Sequence, residues 1–108
     1  MYSLEKINEI AMGNEDVVKR LNSIFVEQTI DKDLSTLKQF AGSNDWEGAR
    51  GVAHKMKPIL ELYQIKRSFE IIRQIVHLNC DPSDPQIILI LIEELEQELE
   101  IVKEQLTA

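Results

Sequence analysis

An all-α fold, an antiparallel four-helix bundle with a short N-terminal capping helix, is what this sequence predicts, and three observations predict it. Apolar residues recur at three- and four-residue spacing along almost the whole chain, most plainly from Ile88 to Leu106. Helix breakers gather at a few points only: Gly13, Gly42 to Asp45, and Cys80 to Pro85. The connections so defined are short, and short connections between amphipathic helices give antiparallel neighbours around one core. The 108 residues suit one domain spanning 1–108.

Each element has its own signal. Leu4, Ile7 and Ile10 mark a short amphipathic first helix that Gly13 ends. Asn14 then caps a second helix, with Glu15 and Asp16 in the first turn, where the helix dipole favours negative charge. Its apolar face is Val17, Val18, Leu21, Ile24 and Phe25, and a second phase of Ile30, Leu34, Leu37 and Ala41 follows. The phase changes between Gln28 and Asp31, which means a bend within one helix or a break between two. After the turn Gly42 to Asp45, Asn44 with Glu47 three residues on resembles a capping box opening a helix that runs to about Tyr63. Ile65, Phe69, Ile72, Ile75 and Val76 define the next segment, expected to end near Asn79. Two prolines, Pro82 and Pro85, separate it from the last helix. There Ile88, Ile92, Leu95, Leu99, Val102 and Leu106 form a heptad seam with a Glu-rich reverse face. The apolar run from Ile87 to Ile92 has strand propensity, and the heptad through it decides for helix.

Composition narrows the function. Hydrophobic residues at 44% and charged residues at 29% are the balance of a globular chain rather than a disordered one. Nineteen acidic against twelve basic side chains give a net charge of −7, a field that repels nucleic acid and anionic membranes. The run Ile87 to Ile92 falls far short of the roughly 20 residues a membrane span needs, so no membrane insertion is expected. The start, Met1 to Lys6, lacks a secretory pattern, and the lone Cys80 cannot form an internal disulfide. A cytoplasmic setting is the expectation.

The candidate site is the stretch "GVAHKMKP", Gly51 to Pro58. On a wheel of about 100° per residue, Val52, Met56, Ile59 and Tyr63 fall opposite His54, and Trp46, Ala49, Ala53 and Leu60 extend that arc along one flank. His54 therefore projects to solvent, with Glu47, Arg50, Gly51, Lys57, Pro58 and Glu61 within about 60° of it. Imidazole is the side chain whose neutral, nucleophilic form is abundant near neutral pH. Lys57, one turn on, can meet the oxygens of a phosphoryl group carried on the ring, and Gly51, one turn back, leaves room for another protein's surface. Phosphoryl transfer asks for little beyond an in-line nucleophile and charge stabilisation. The plainer alternative is a solvated histidine beside an ion-pair ladder of Arg50, Lys57 and Glu61. His77, on the polar face of its own helix near the C-terminal end, carries only that plainer reading. No HExxH, GxSxG, P-loop or GxGxxG pattern occurs, so a zinc site is not expected.

Ala53-His54-Lys55-Met56-Lys57 resembles the A-H-x-L-K core of histidine-containing phosphotransfer (HPt) domains, the carriers of multistep two-component phosphorelays. Phe25 with Ile30, Leu34 and Leu37 looks like the long helices that precede this core, and Asp45-Trp46 stands where the family often has Asp plus an aromatic, so the resemblance spans essentially the whole chain. It implies that His54 accepts a phosphoryl group from the aspartate of a response-regulator receiver domain and passes it to another receiver. Lys57 matches the lysine that steadies the phosphoryl oxygens, Arg50, Gly51, Pro58 and Glu61 form the docking surface, and Gln74 takes the place of a polar residue on the following helix. Such carriers are not autonomous kinases: they bind no ATP and need no cofactor of their own, the receiver supplying Mg²⁺. The implied partners are receivers or a hybrid sensor histidine kinase, and the implied state is a monomer.

The sequence departs from the family at two positions. Pro58 stands where glycine usually follows the lysine, removing the amide that would bond the carbonyl of residue 54, so a kink is expected there. Gln64 replaces a glycine common near the end of this helix. Both bear on docking rather than on the nucleophile. Two alternatives stay open: a non-catalytic helical module that docks signalling proteins without being phosphorylated, and the phosphoacceptor domain of a sensor kinase. In the latter an acidic residue follows the histidine and proline comes five positions on, against Lys55 and Pro58 here.

Overall fold

The computed structural model describes residues 2–78 and 81–108, and among them every regular element is helical. In chain order these are α1 (Glu5–Ile10), α2 (Glu15–Ile24), a π-helical segment (Phe25–Asp33), α3 (Leu34–Gly42), α4 (Trp46–Leu62), α5 (Lys66–Val76) and α6 (Pro85–Thr107). Asn14 caps α2 as expected, its Oδ1 accepting from the amides of Asp16 and Val17. Asp84 caps α6 by accepting from Gln86, with Pro85 in the first turn, where no amide is missed.

The phase change near Gln28 is resolved by winding, not by a break. The junction residues Ile24, Phe25, Asp33 and Leu34 all keep helical φ and ψ, so α2, the π segment and α3 form one continuous rod. On an α wheel the set Ile30, Leu34, Leu37 and Ala41 lies about 150° round from Val18, Leu21 and Phe25. A π turn, closed by i→i+5 bonds, advances through less angle per residue, and nine such residues bring both sets onto the same core.

Three helices end on left-handed residues, and only one of these is of a type that suits the position. The amide of Ile65 bonds to the carbonyl of Leu60 and that of Gln64 to Glu61, which is a Schellman closure of α4 with Gln64 at φ 55°. The same pair of bonds closes α3, from Asp45 to Phe40 and from Asn44 to Ala41, with Asn44 at φ 59°. It closes α1 as well, with Met12 at φ 54°, so Met12 ends that helix and Gly13 only follows it. The capping expectation at the start of α4 is corrected in the same way. Asn44 belongs to the end of α3, and the cap is Asp45, whose Oδ1 accepts from the Gly48 amide at 2.9 Å. Asparagine tolerates the left-handed region, which frees the next residue to cap. The helix α5 ends at Val76 with His77 as its cap residue; the expected end at Asn79, like Cys80, lies outside the described residues.

One contiguous apolar cluster holds these helices together. Trp46, Ala53, Met56 and Leu60 of α4 meet Ile71, Ile72 and Ile75 of α5, the seam Ile88, Ile92, Leu95, Leu99 and Val102 of α6, and Phe25 to Ala41. The seam fades at Leu106, which is only partly buried. Packing places α4 against α3 and α5, and α6 against α5, α3 and the π segment. Polar contacts repeat that arrangement: Arg67 of α5 grips Glu94 of α6 through Nε at 2.9 Å and Nη2 at 2.7 Å, and these hydrogen bonds hold the Glu94 carboxyl below its usual range. Lys38 of α3 pairs with Glu96, and Lys103 of α6 with Asp31. At Gly48, α4 and α3 approach closely, since a Cβ there would sit 2.6 Å from the Phe40 ring. The apolar face expected for α2 is thinner than its sequence. Val17 and Ile24 are exposed and α2 fully buries no residue, because it lies at the margin with α1 as its cover, and Ile10 of α1 is exposed too. Among the described residues no helix is long and apolar enough to cross a membrane.

Candidate functional site

The rotation of α4 is pinned from inside. Trp46, Ala49, Ala53, Met56 and Leu60 are all buried, and Tyr63 closes the stripe. His54 is left on the outer face and is exposed. Glu47, Gly51, Pro58 and Glu61 are exposed around it, while Arg50 and Lys57 are half-buried. Side chains on a helix lean towards its N-terminus, which puts Arg50 and Gly51 on the side that His54 faces along the axis and His54 on the side that Lys57 faces. Residues three and four apart stand about 5–6 Å from each other at Cβ, within reach of one shared anion.

The helix continues as a single element across Pro58, from Trp46 to Leu62. The proline has no amide to give to the carbonyl of His54, so the backbone acceptor beneath the imidazole lacks its helical donor.

The two flanks of the site differ. Towards the π segment, Lys55 turns away from His54 and donates from Nζ to Oδ1 of the buried Asp33 at 3.2 Å. Beyond it an apolar groove of about 210 Å³ runs between Ile59 and Leu62 of α4, with the cap residue Tyr63, and the residues Ile10, Leu21 and Ile24. Towards α5 lie Arg50, Lys57 and Glu61, with Glu61 and Leu60 sharing a cleft with Phe69 and Lys66. Neither Arg50 nor Lys57 has a carboxylate within ion-pair distance among the described residues, whereas Lys55 is taken by Asp33.

The structure brings His54, Lys57, Arg50, Gly51, Pro58 and Glu61 onto one face, and it does not bring Gln74 to them. Gln74 is exposed two turns after Arg67, on the flank of α5 that faces α6, where Arg67 holds Glu94. Phe69 of α5 shares a cleft with Leu60 and Glu61 of α4, and Arg73, one turn on from Phe69, pairs with Glu70 at 2.8 Å. Sequence reasoning missed Asp33 and the apolar groove. Asp33 reads as a surface acid until the π winding turns it inward. Ile10 and Ile24 read as core until the packing leaves them at the groove's rim.

No family model, curated protein or solved structure matches this chain.

Chemistry therefore rests on the face itself. Among the described residues no three metal-ligating side chains group together. What α4 offers is an accessible nucleophilic ring with cationic side chains one turn to either side, on a helix rigidly seated by a buried stripe.

Proposed function

We propose that this chain is a phosphorelay carrier, built as a four-helix bundle of the HPt kind, in which His54 takes a phosphoryl group from a receiver-domain aspartate and gives it to another. The observation that carries the reading is the pairing of an exposed His54 with a Lys57 one turn on that makes no ion pair among the described residues, on a helix seated by a buried stripe from Trp46 to Leu60. A neutral ring nitrogen attacks the phosphorus of an aspartyl phosphate. The N–P bond forms as the P–O bond to the carboxylate breaks, the aspartate leaves as its anion, and the ring keeps the proton on its other nitrogen as an imidazolium. The reverse step delivers the group to the next receiver. Lys57 lowers the charge repulsion on the transferring oxygens. The carrier supplies no nucleotide site, and Mg²⁺ belongs to the receiver. A cytoplasmic monomer is the setting this role requires.

Incubation with a phosphorylated receiver should move label onto the protein as an acid-labile, base-stable phosphoramidate. His54→Gln should abolish that label with helicity unchanged by circular dichroism. Label that persists in the variant would sink the assignment.

A second reading, a docking module that is never phosphorylated, is favoured by the exposed Pro58 and the apolar groove beside the site. Binding of a receiver without label, at equal affinity for wild type and His54→Gln, is its signature.

A further inference from the structure

Arg50 stands apart among the groups around His54. Its Nη1 is buried and has no hydrogen-bond partner, although the residue lies on the outer face of α4. A buried donor without an acceptor is costly, and a charged one more so. No carboxylate within ion-pair reach offsets it among the described residues. The Nη1 end of the guanidinium is thus folded back against the helices with no acceptor, one turn before His54.

The charges on this face sharpen the point. Glu47 and Glu61 lie within about 20° of His54 on the helix wheel, and the whole chain carries −7. A phosphoryl dianion on the ring would add to that negative field. Lys57 alone cannot offset two carboxylates and a dianion. Lys55 is turned to Asp33 and contributes nothing at contact distance. Arg50 is the remaining cation within one turn of the ring.

We infer that Arg50 is a second phosphoryl-binding residue of this site, swinging from its unsatisfied resting position to hold the phosphoryl oxygens on His54 from one turn before the ring, as Lys57 does from one turn after it. This rests on the carrier reading above and goes beyond a docking role for Arg50. The guanidinium fork suits two oxygens of one phosphoryl group, and the anion supplies the acceptors that the resting state lacks. Gly51, on the other flank of His54, adds no side chain, and nothing lies within 4 Å of where its Cβ would be.

A small donor separates the two roles of Arg50, because it has no protein surface to dock. With phosphoramidate the ring nitrogen attacks phosphorus, the N–P bond to His54 forms, the donor's own P–N bond breaks and ammonia leaves. The rate of labelling is measured for wild type, Arg50→Ala, Arg50→Lys and Lys55→Gln at sub-saturating phosphoramidate, with melting curves for each. Arg50→Ala should label about ten-fold more slowly, the effect of one charge-assisted hydrogen bond. Arg50→Lys should recover part of the rate, and Lys55→Gln should match wild type. Equal rates for wild type and Arg50→Ala overturn the inference and leave Arg50 to docking, with the carrier reading intact. A loss as large in Lys55→Gln overturns it too, since that would be a field effect without contact. Wild type that takes no label from either phosphoramidate or a phosphorylated receiver overturns both readings.

Discussion

Gln64 holds a left-handed backbone, φ 55°, at the end of the helix that carries His54. The bonds that fix it there, Ile65 to Leu60 and Gln64 to Glu61, need that geometry, and the buried pair Leu60 and Ile65 clamps it. An L side chain in this region crowds the carbonyl, a strain that glycine does not feel. Gln64→Gly should therefore stabilise the fold by about 1 kcal/mol, after allowance for glycine's greater freedom when unfolded. The urea midpoint measures this, and a lower midpoint for the variant would refute it. Position 64 carries glutamine in the sequence, so only the closure shows that a left-handed residue is needed there. Met12 carries no sign either, because nothing in the composition around it announces a left-handed turn while Gly13 stands next to it. Arg50 shows a further limit at this scale: a wheel gives the direction of a Cβ, not where a long side chain folds back to.

At the scale of the element, α4 was read closely and the rod before it was not. The buried stripe from Trp46 to Leu60 fixes both the existence and the rotation of α4, and a stripe of that kind is visible in spacing alone. A phase change is equally visible, yet a break and a run of π turns leave the same trace on a wheel. Only the helical φ and ψ at the junction residues Ile24, Phe25, Asp33 and Leu34 show the winding to be continuous. Register matters most on α5, where Gln74 shares the flank of Arg67 while its neighbour Arg73 pairs with Glu70. Pro58 is the element's internal cost. It removes one hydrogen bond from the helix interior, an effect worth about 3 kcal/mol in an unstrained helix, part of which local adjustment recovers. Pro58→Ala should raise stability by about 1–3 kcal/mol, read as a higher melting temperature. The same variant supplies a donor to the carbonyl of His54, so labelling kinetics should change along with stability. A stabilised variant with unaltered transfer would show that Pro58 has no part in the site, and an unstabilised one that the helix is already relaxed around it.

At the scale of the molecule, the elements around the site converge on Tyr63. Its ring stacks on Phe25 at the start of the π segment, with centroids 4.0 Å apart and planes 15° from parallel. Its hydroxyl donates to Oδ1 of Asn22 in α2 at 3.0 Å, and its carbonyl accepts from the amide of Ser3 at 2.9 Å. The N-terminal segment, the rod and the end of α4 are thus joined at one residue, 2% exposed. Burial pushes the phenol up from 10.0 to about 12, because the phenolate would lose its hydration there. The sign follows from which state ionises first. Below pH 10 the phenol is protonated whether the chain is folded or not, and its contribution is complete. Between pH 10 and about 12 the unfolded chain loses the proton while the folded chain keeps it, so stability falls as pH rises, and above that window the contribution is gone. The loss amounts to roughly 2–3 kcal/mol across the window. Denaturant midpoints for wild type and Tyr63→Phe, taken at intervals from pH 9 to about 12, isolate it from the lysines, which titrate in both proteins. The variant should start about 1 kcal/mol less stable, having lost the bond to Asn22, and should then decline less steeply with pH, so that the two curves cross. Parallel curves would mean that the phenol reaches water in the folded state, and that the junction at Tyr63 opens without unfolding the rest.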